Sequence, residues 1–289
     1  MADKTKTKKK GATRTKKPVK KKSSNGRKTA AKNKKSSSLS KKQIITLIVC
    51  IVSVIAVAAS VIAAGSRAPK REHSISEIGK EKAWGIDVSS HNGKIDWKKV
   101  SEKADFAFIR VGYRGYSKGE INYDKKAKYN IEGAIKNGIP VGVYFYSQAI
   151  NEKEAEKEAE FLLKRIRGFD ITLPLVIDFE YAYSNGKPVG RLNSAKLTKK
   201  EKTALINAFC TRVRKAGYTP GVYASSYIYR SHISVKSLPY DVFIWVADYN
   251  GRVTYDGYYD IWQYSERGKC DGVSSKYVDT NYFYTKKRL

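Results

Sequence analysis

Cysteine is scarce in this chain of 289 residues, with only Cys50, Cys210 and Cys270, and none of them falls in a Cys-x-x-Cys pair or beside a Cys-His cluster. That argues against a thiolate zinc site. Cys50 sits inside a long apolar run, which leaves Cys210 in a predicted helix and Cys270 in a GKCDG loop as a disulfide pair or as two separate thiols. Histidine is equally scarce, with three residues, and no Ser or Cys nucleophile completes a triad around His91. In DVSSHNG it reads as a turn residue with Asn92 and Gly93. The acids are not packed at the spacing of a calcium loop, so neither a metal nor an organic cofactor is implied.

Acid is in short supply overall, with 27 Asp and Glu against 57 Lys and Arg and a formal net charge of +30. The imbalance is concentrated. Residues 1–43 hold eighteen Lys or Arg, one acid and no aromatic residue. Such a segment buries too little apolar surface to offset the entropy of ordering, so it is expected to be a disordered tail. The next stretch lacks charge altogether: IITLIVCIVSVIAVAASVIAA, residues 44–64. A helix of that length rises roughly 1.5 Å per residue and spans a hydrocarbon core of about 30 Å. It predicts a single transmembrane helix, longer than the apolar region of a signal peptide. Basic residues stay on the cytoplasmic side, which places the N-terminus inside and everything beyond a 65–82 linker outside the cell membrane. Contact between the tail and anionic membrane lipids follows from the same charge. No nucleic-acid motif accompanies the lysines, so no specific nucleic acid is expected as a partner.

From residue 83 to 289 short apolar runs alternate with amphipathic stretches. The runs are AWGIDV, DFAFIRV, PVGVYFYS, LPLVIDFE, TPGVYAS, DVFIWVADY, YDIWQYS and YVDTNYF. Helices are predicted over 124–137, 151–167 and 198–216, the last opened by Thr198 with Glu201 three residues later. Strand, helix, strand at this spacing indicates parallel βαβ units. After residue 219 the helices thin out. The expected fold is therefore α/β, a modified TIM-like β/α barrel with eight strands and fewer than eight helices.

Four acids stand at the ends of these runs: Asp87, Asp178, Glu180 and Asp279. Side chains alternate across a strand, so Asp178 and Glu180, two apart, leave the same face. Like charges sharing one site push their proton affinities apart, leaving one carboxyl protonated beside an anionic neighbour. A lone Asp-x-Glu could also be a loop start, a cap or a cation site, but here LPLVIDFE is apolar up to its first acid, as in a strand covered on both faces. In a parallel barrel the strand ends converge on one face, where active sites lie. A proton donor next to a carboxylate is the equipment of a glycosidase.

Taken in order, GIDVSSHNGKIDW, VGVYFYS, LPLVIDFE, GVYAS, FIWVADY, DIWQYS and VDTNYF resemble the family 25 glycoside hydrolases over about residues 83–289. The resemblance implies a peptidoglycan hydrolase, a lysozyme cleaving the β-1,4 bond between N-acetylmuramic acid and N-acetylglucosamine, with the family's four active-site acids falling on Asp87, Asp178, Glu180 and Asp279. Glu180 is then the expected general acid. Asp178 faces the anomeric side, as nucleophile or as the group that orients the substrate's 2-acetamido, while Asp87 and Asp279 hold sugar hydroxyls or keep the pair correctly charged.

Pyranose rings present flat CH faces that aromatic side chains bury. Tyr144, Tyr146, Tyr181 and Trp245, with Gln263, are the expected substrate contacts, Tyr144 and Trp245 foremost. Asp248 is read as a loop cap. The polar segment YAYSNGKPVGRLNSAK is expected to be a long loop forming one cleft wall. Peptidoglycan glycan strands and anionic wall polymers are the expected partners. Two other readings use the same cleft: a glycan-binding module without catalysis, and a chitinase-like barrel.

Overall fold

In a computed structural model the chain divides into two compact units, residues 1–61 and 62–289. The structure describes residues 40–42 and 46 of the first and 81–284 of the second. Among the described residues no helix is long and apolar enough to cross a membrane. The span predicted for 44–64 lies outside them apart from Thr46, as do most of the tail and linker.

The described residues of the second unit form eleven strands: β1 Lys82–Val88, β2 Phe106–Arg114, β3 Ile121–Tyr123, β4 Val141–Ser147, β5 Leu175–Phe179, β6 Ala182–Ser184, β7 Lys187–Val189, β8 Pro220–Ser225, β9 Phe243–Ala247, β10 Ile261–Gly268 and β11 Val278–Tyr284. Eight of them close a barrel in the order β1, β2, β4, β5, β8, β9, β10, β11 and back to β1, with β3 added beside β2. These eight are the apolar runs of the sequence. Among the described residues of this unit six α-helices cover the barrel, of which Ala127–Lys136, Glu152–Arg165 and Lys199–Lys215 fall within the predicted stretches. Their ends follow the local chemistry. Thr198 and Glu201 form a reciprocal capping box, Asn151 accepts from the Glu154 amide, and Gly138 at φ 74° follows the Asn137 C-cap.

The barrel is not wholly parallel. β11 runs antiparallel to both β10 and β1, while the other closing pairs are parallel. The expectation that Asp279 ends a parallel strand is therefore corrected: it is the second residue of a reversed strand, paired in register with Asp87. Because the strand is reversed, its start lies at the mouth where the other strands end. The predicted polar loop after β5 is also corrected. It is a β6–β7 hairpin followed by a short helix, Gly190–Ser194, turning on Asn185 and Gly186 with φ of 50° and 71°. Asn-Gly favours that two-residue turn because both positions need positive φ.

Side-chain alternation sorts the strands into two cores. Phe106, Phe108, Val176, Phe243, Trp245, Ile261 and Phe283 fill the barrel. Their neighbours Ala107, Ile109, Ile177, Ile244 and Val246 face the helices, packing with Leu162, Leu205 and Phe209. Gly142 on β4 makes room for the interior rings, since a Cβ there would lie 2.2 Å from the Phe108 ring. Cys210 and Cys270 are separate buried thiols.

Candidate active site

At one mouth of the barrel the inward positions turn from apolar to polar. Val176 is followed two residues on by Asp178 and then Glu180; Phe106 and Phe108 by Arg110; Ile261 by Gln263; Ala83, through Gly85, by Asp87. On the reversed β11 the order runs backwards, Asp279 and Asn281 preceding Phe283. A cleft of about 680 Å³ opens there, and its lining includes all four acids together with Tyr144, Tyr146, Tyr181, Trp245 and Gln263. Every residue singled out for substrate or catalysis from the sequence is thus brought to one place, while Asp248 is not part of the lining.

Asp87 is 4% exposed and held by two amides: Gln263 Nε2 and Asn281 Nδ2 each donate to its Oδ2 at 2.8 Å. Those amides are oriented in turn. Gln263 Oε1 accepts from the hydroxyls of Tyr223 (2.8 Å) and Tyr249 (2.5 Å), and Asn281 Oδ1 accepts from the Trp245 indole at 2.9 Å. Burial lifts the Asp87 carboxyl to about 6, against the pull of the Asn281 and Gln263 bonds, which favour its anion. Asp178 is 7% exposed, and its Oδ1 is buried without a hydrogen-bond partner. Burial raises it well above the usual carboxylate range, the charges of Glu180 and Asp87 push the same way, and Arg110 opposes them.

Glu180 is partly buried just beyond β5, and its carbonyl accepts from Gln148 Nε2 at 2.9 Å. Burial, then repulsion from Asp87 and Glu266, lifts its carboxyl to about 7. The same causes, with Glu180 added, lift Asp279 to about 9. At neutral pH the cleft therefore holds proton donors and an anion side by side. A carboxylate oxygen left unpartnered in a buried wall calls for a functional explanation, and Asp178 belongs to the lining of the cleft.

The aromatic contacts differ in what they can offer. Trp245 is 2% exposed, packed on Phe108 at 4.6 Å and Tyr223 at 4.9 Å between centroids. It forms the floor and shows a substrate little of its face. Tyr144 stands edge-on to it at 6.3 Å. Tyr181 packs edge-on to His232, and Tyr183, 62% exposed, carries the hairpin wall. His91 is an exposed rim residue in a short 3-10 turn capped by Ser89. Asp248 caps its own loop: although burial opposes it, bonds from Thr254 and Asn250 hold it down to about 2.

Sequence reading missed Arg110, Tyr223 and Asn281. Among the described residues Arg110 is the one arginine or lysine in the cleft lining, held by Asp124 (2.8 Å) and Ser90 (3.3 Å). The signal was available. Asn281 is two residues after Asp279 and so shares the parity of an acid already placed at the cleft, and Arg110 in DFAFIRV shares the parity of Phe106 and Phe108.

Comparison with known proteins bears directly on this geometry. The family model described as Glycosyl hydrolases family 25 matches residues 86–273. The uncharacterized protein YegX of Escherichia coli K12 is 29% identical over 209 residues, covering 69% of this chain and 68% of that protein. Lysozyme M1 of Streptomyces globisporus is 28% identical over 223 residues, covering 69% and 67%. Among solved structures, the modular autolysin LytC of Streptococcus pneumoniae, in complex with a synthetic peptidoglycan ligand, matches with a TM-score of 0.60 at 28% identity over 70% of this chain. The present chain spans just under half of that autolysin's length, 47%.

Proposed function

Since this chain belongs to the glycosyl hydrolases family 25, and is therefore a glycoside hydrolase, we propose that its substrate is bacterial peptidoglycan and the bond it breaks is the β-1,4 link between N-acetylmuramic acid and N-acetylglucosamine. The observation that carries the reading is the inward pair of a buried Asp178 and a partly buried Glu180, whose charge raises Asp178, opening on a cleft with aromatic walls. Glu180, with its proton held to about neutrality, protonates the departing glycosidic oxygen. Asp178 works at the anomeric carbon, either by attack or by orienting the 2-acetamido group that attacks in its place. Asp87, aimed by two amides, and Asp279 take sugar hydroxyls and set the charge around the pair. The peptidoglycan ligand of the LytC structure and the lysozyme name of the Streptomyces relative support the substrate class.

Mass spectrometry of fragments released from purified peptidoglycan tests this. Muramic acid at the new reducing ends is expected. N-acetylglucosamine there, or turnover of chitin oligomers at a comparable rate, would overturn it. The same proposal places the enzyme on the outer face of the cell membrane, anchored through residues 44–64 with the basic tail inside, and acting on the wall nearest its own membrane. Protease added to spheroplasts should then digest the barrel and spare a tag placed at residue 1; digestion of the tag alone would reverse the topology.

A further inference from the structure

A second concave surface adjoins the rim of the cleft. The chain between β10 and β11 folds down on residues 94–100: the Asp96 amide donates to the Gly272 carbonyl at 2.7 Å, the Ser274 amide to the Lys94 carbonyl at 3.3 Å, and Ile95 bridges to Val273. Gly272, at φ 96°, is needed for the approach, because a Cβ there would lie 2.5 Å from the Asp96 carbonyl oxygen. The same loop is tied to the cleft. Asn92, a lining residue, donates from Nδ2 to Ser275 Oγ at 3.2 Å, and Ser274 Oγ donates back to the Asn92 carbonyl at 3.2 Å.

This fixed loop borders an open pocket of about 380 Å³ whose lining includes Lys99, Lys269 and Lys276. Among the described residues the one acid in that lining, Asp271, is paired with Lys103 at 2.8 Å. Among the described residues none of the three lysines makes an ion pair. Arg267 and Lys276 both lie over the Tyr277 ring, at 5.0 and 5.2 Å from its centroid. Scattered surface lysines are simply solvated. Three that line one concavity give it an excess of positive charge, which a ligand with several negative charges offsets.

We propose that this pocket binds a linear polyanion with closely spaced phosphodiesters, carried by the wall itself, and so holds the glycan beside the cleft. Ammonium groups suit such a ligand because they act as point charges and need no fixed fork geometry. One charge per short repeat lets three lysines engage together, which the sparse carboxylates of a stem peptide do not. The ligand's origin rests on the wall-hydrolase reading; its binding does not.

The test is lysine acetylation of the full-length, detergent-solubilised protein, read by mass spectrometry with and without poly(glycerol phosphate). Protection of Lys99, Lys269 and Lys276 by about tenfold at near-saturating polymer is expected, fading as salt is raised. Protection confined to the lysines of residues 1–43, or equal at the exposed Lys164, Lys187 and Lys236, would overturn the site. Equal protection by polyglutamate would overturn the phosphate assignment. The triple variant Lys99→Gln/Lys269→Gln/Lys276→Gln should lose activity on walls bearing phosphodiester polymer and match the parent on walls stripped of it; parity on both substrates refutes the proposal. Absence of cleavage by either protein would instead count against the peptidoglycan reading and leave the footprint standing.

Discussion

Glu180→Gln lowers kcat on peptidoglycan by about 10²–10⁴-fold, the usual contribution of a positioned proton donor, and leaves KM within a few-fold. The amide has the shape of the acid and keeps its place beyond β5, where Gln148 holds the backbone carbonyl rather than the side chain. What it lacks is a transferable proton. The pH profile separates loss of chemistry from loss of fold. Glu180 is lifted to about 7 by burial and by Asp87 and Glu266, and an acid must be protonated to act. Activity of the parent should therefore persist below pH 7 and fall as the pH rises through it. The variant's residual turnover should lack that limb. Thermal melting of the variant should match or exceed the parent, because a partly buried carboxyl among like charges has been neutralised. Turnover above about a tenth of the parent's, with an unchanged profile, would remove Glu180 from the acid role.

Arg114→Met destabilises the barrel by about 3–5 kcal/mol, the cost of leaving a buried charge without its partner. At about 2–4 °C per kcal/mol for a domain of this size, melting should fall by roughly 6–20 °C. Arg114, at the end of β2, is 5% exposed and donates from Nε to Glu158 Oε1 at 2.5 Å, with further bonds to the carbonyls of Gly119 (2.6 Å) and Glu154 (3.0 Å). Glu158 is fully buried and also accepts from Ser147 Oγ at 2.6 Å. Burial alone would push its carboxyl far up; Arg114 and Ser147 restrain it to about 7. A raised acid favours folding fully below its unfolded value near 4.5, and that contribution is lost as pH rises through 7. Removing Arg114 extends the window upward, so the variant should be hurt more at pH 8 than at pH 5. Adding Glu158→Gln should restore more than half of the loss. A single variant within about 1 kcal/mol of the parent at pH 8 would show the pair to be dispensable.

Much of this was legible because a covered strand writes its parity into the sequence. LPLVIDFE contains both the apolar run that makes β5 and the two acids that share its inward face. The cap residues Thr198 and Glu201 marked a helix start to the residue. Strand direction was not legible. Nothing in YVDTNYF distinguishes a strand running up the barrel from one running down, since alternation has no polarity, and only the short connection from β10 argued for a reversal. The hairpin after β5 was hidden by its own polarity, although Asn185-Gly186 signalled a tight turn. The depth of Trp245 escaped for another reason: an inward ring can be floor or platform depending on how far along the barrel it lies, a distance fixed by register between strands rather than by any one of them.

The reversed last strand also orders events in time. β1 can pair with β2 as soon as both are made, but its other edge waits for β11, nearly the whole length of the barrel later in the chain. Pairing strands so distant in sequence carries a large loop-closure cost, which slows folding. Asp87 gains Asn281, and the register opposite Asp279, only when that strand arrives. A chain still emerging from the ribosome, or cut short before residue 278, therefore has the pair Asp178 and Glu180 but not the set of four. Closing the barrel and arming it are one step.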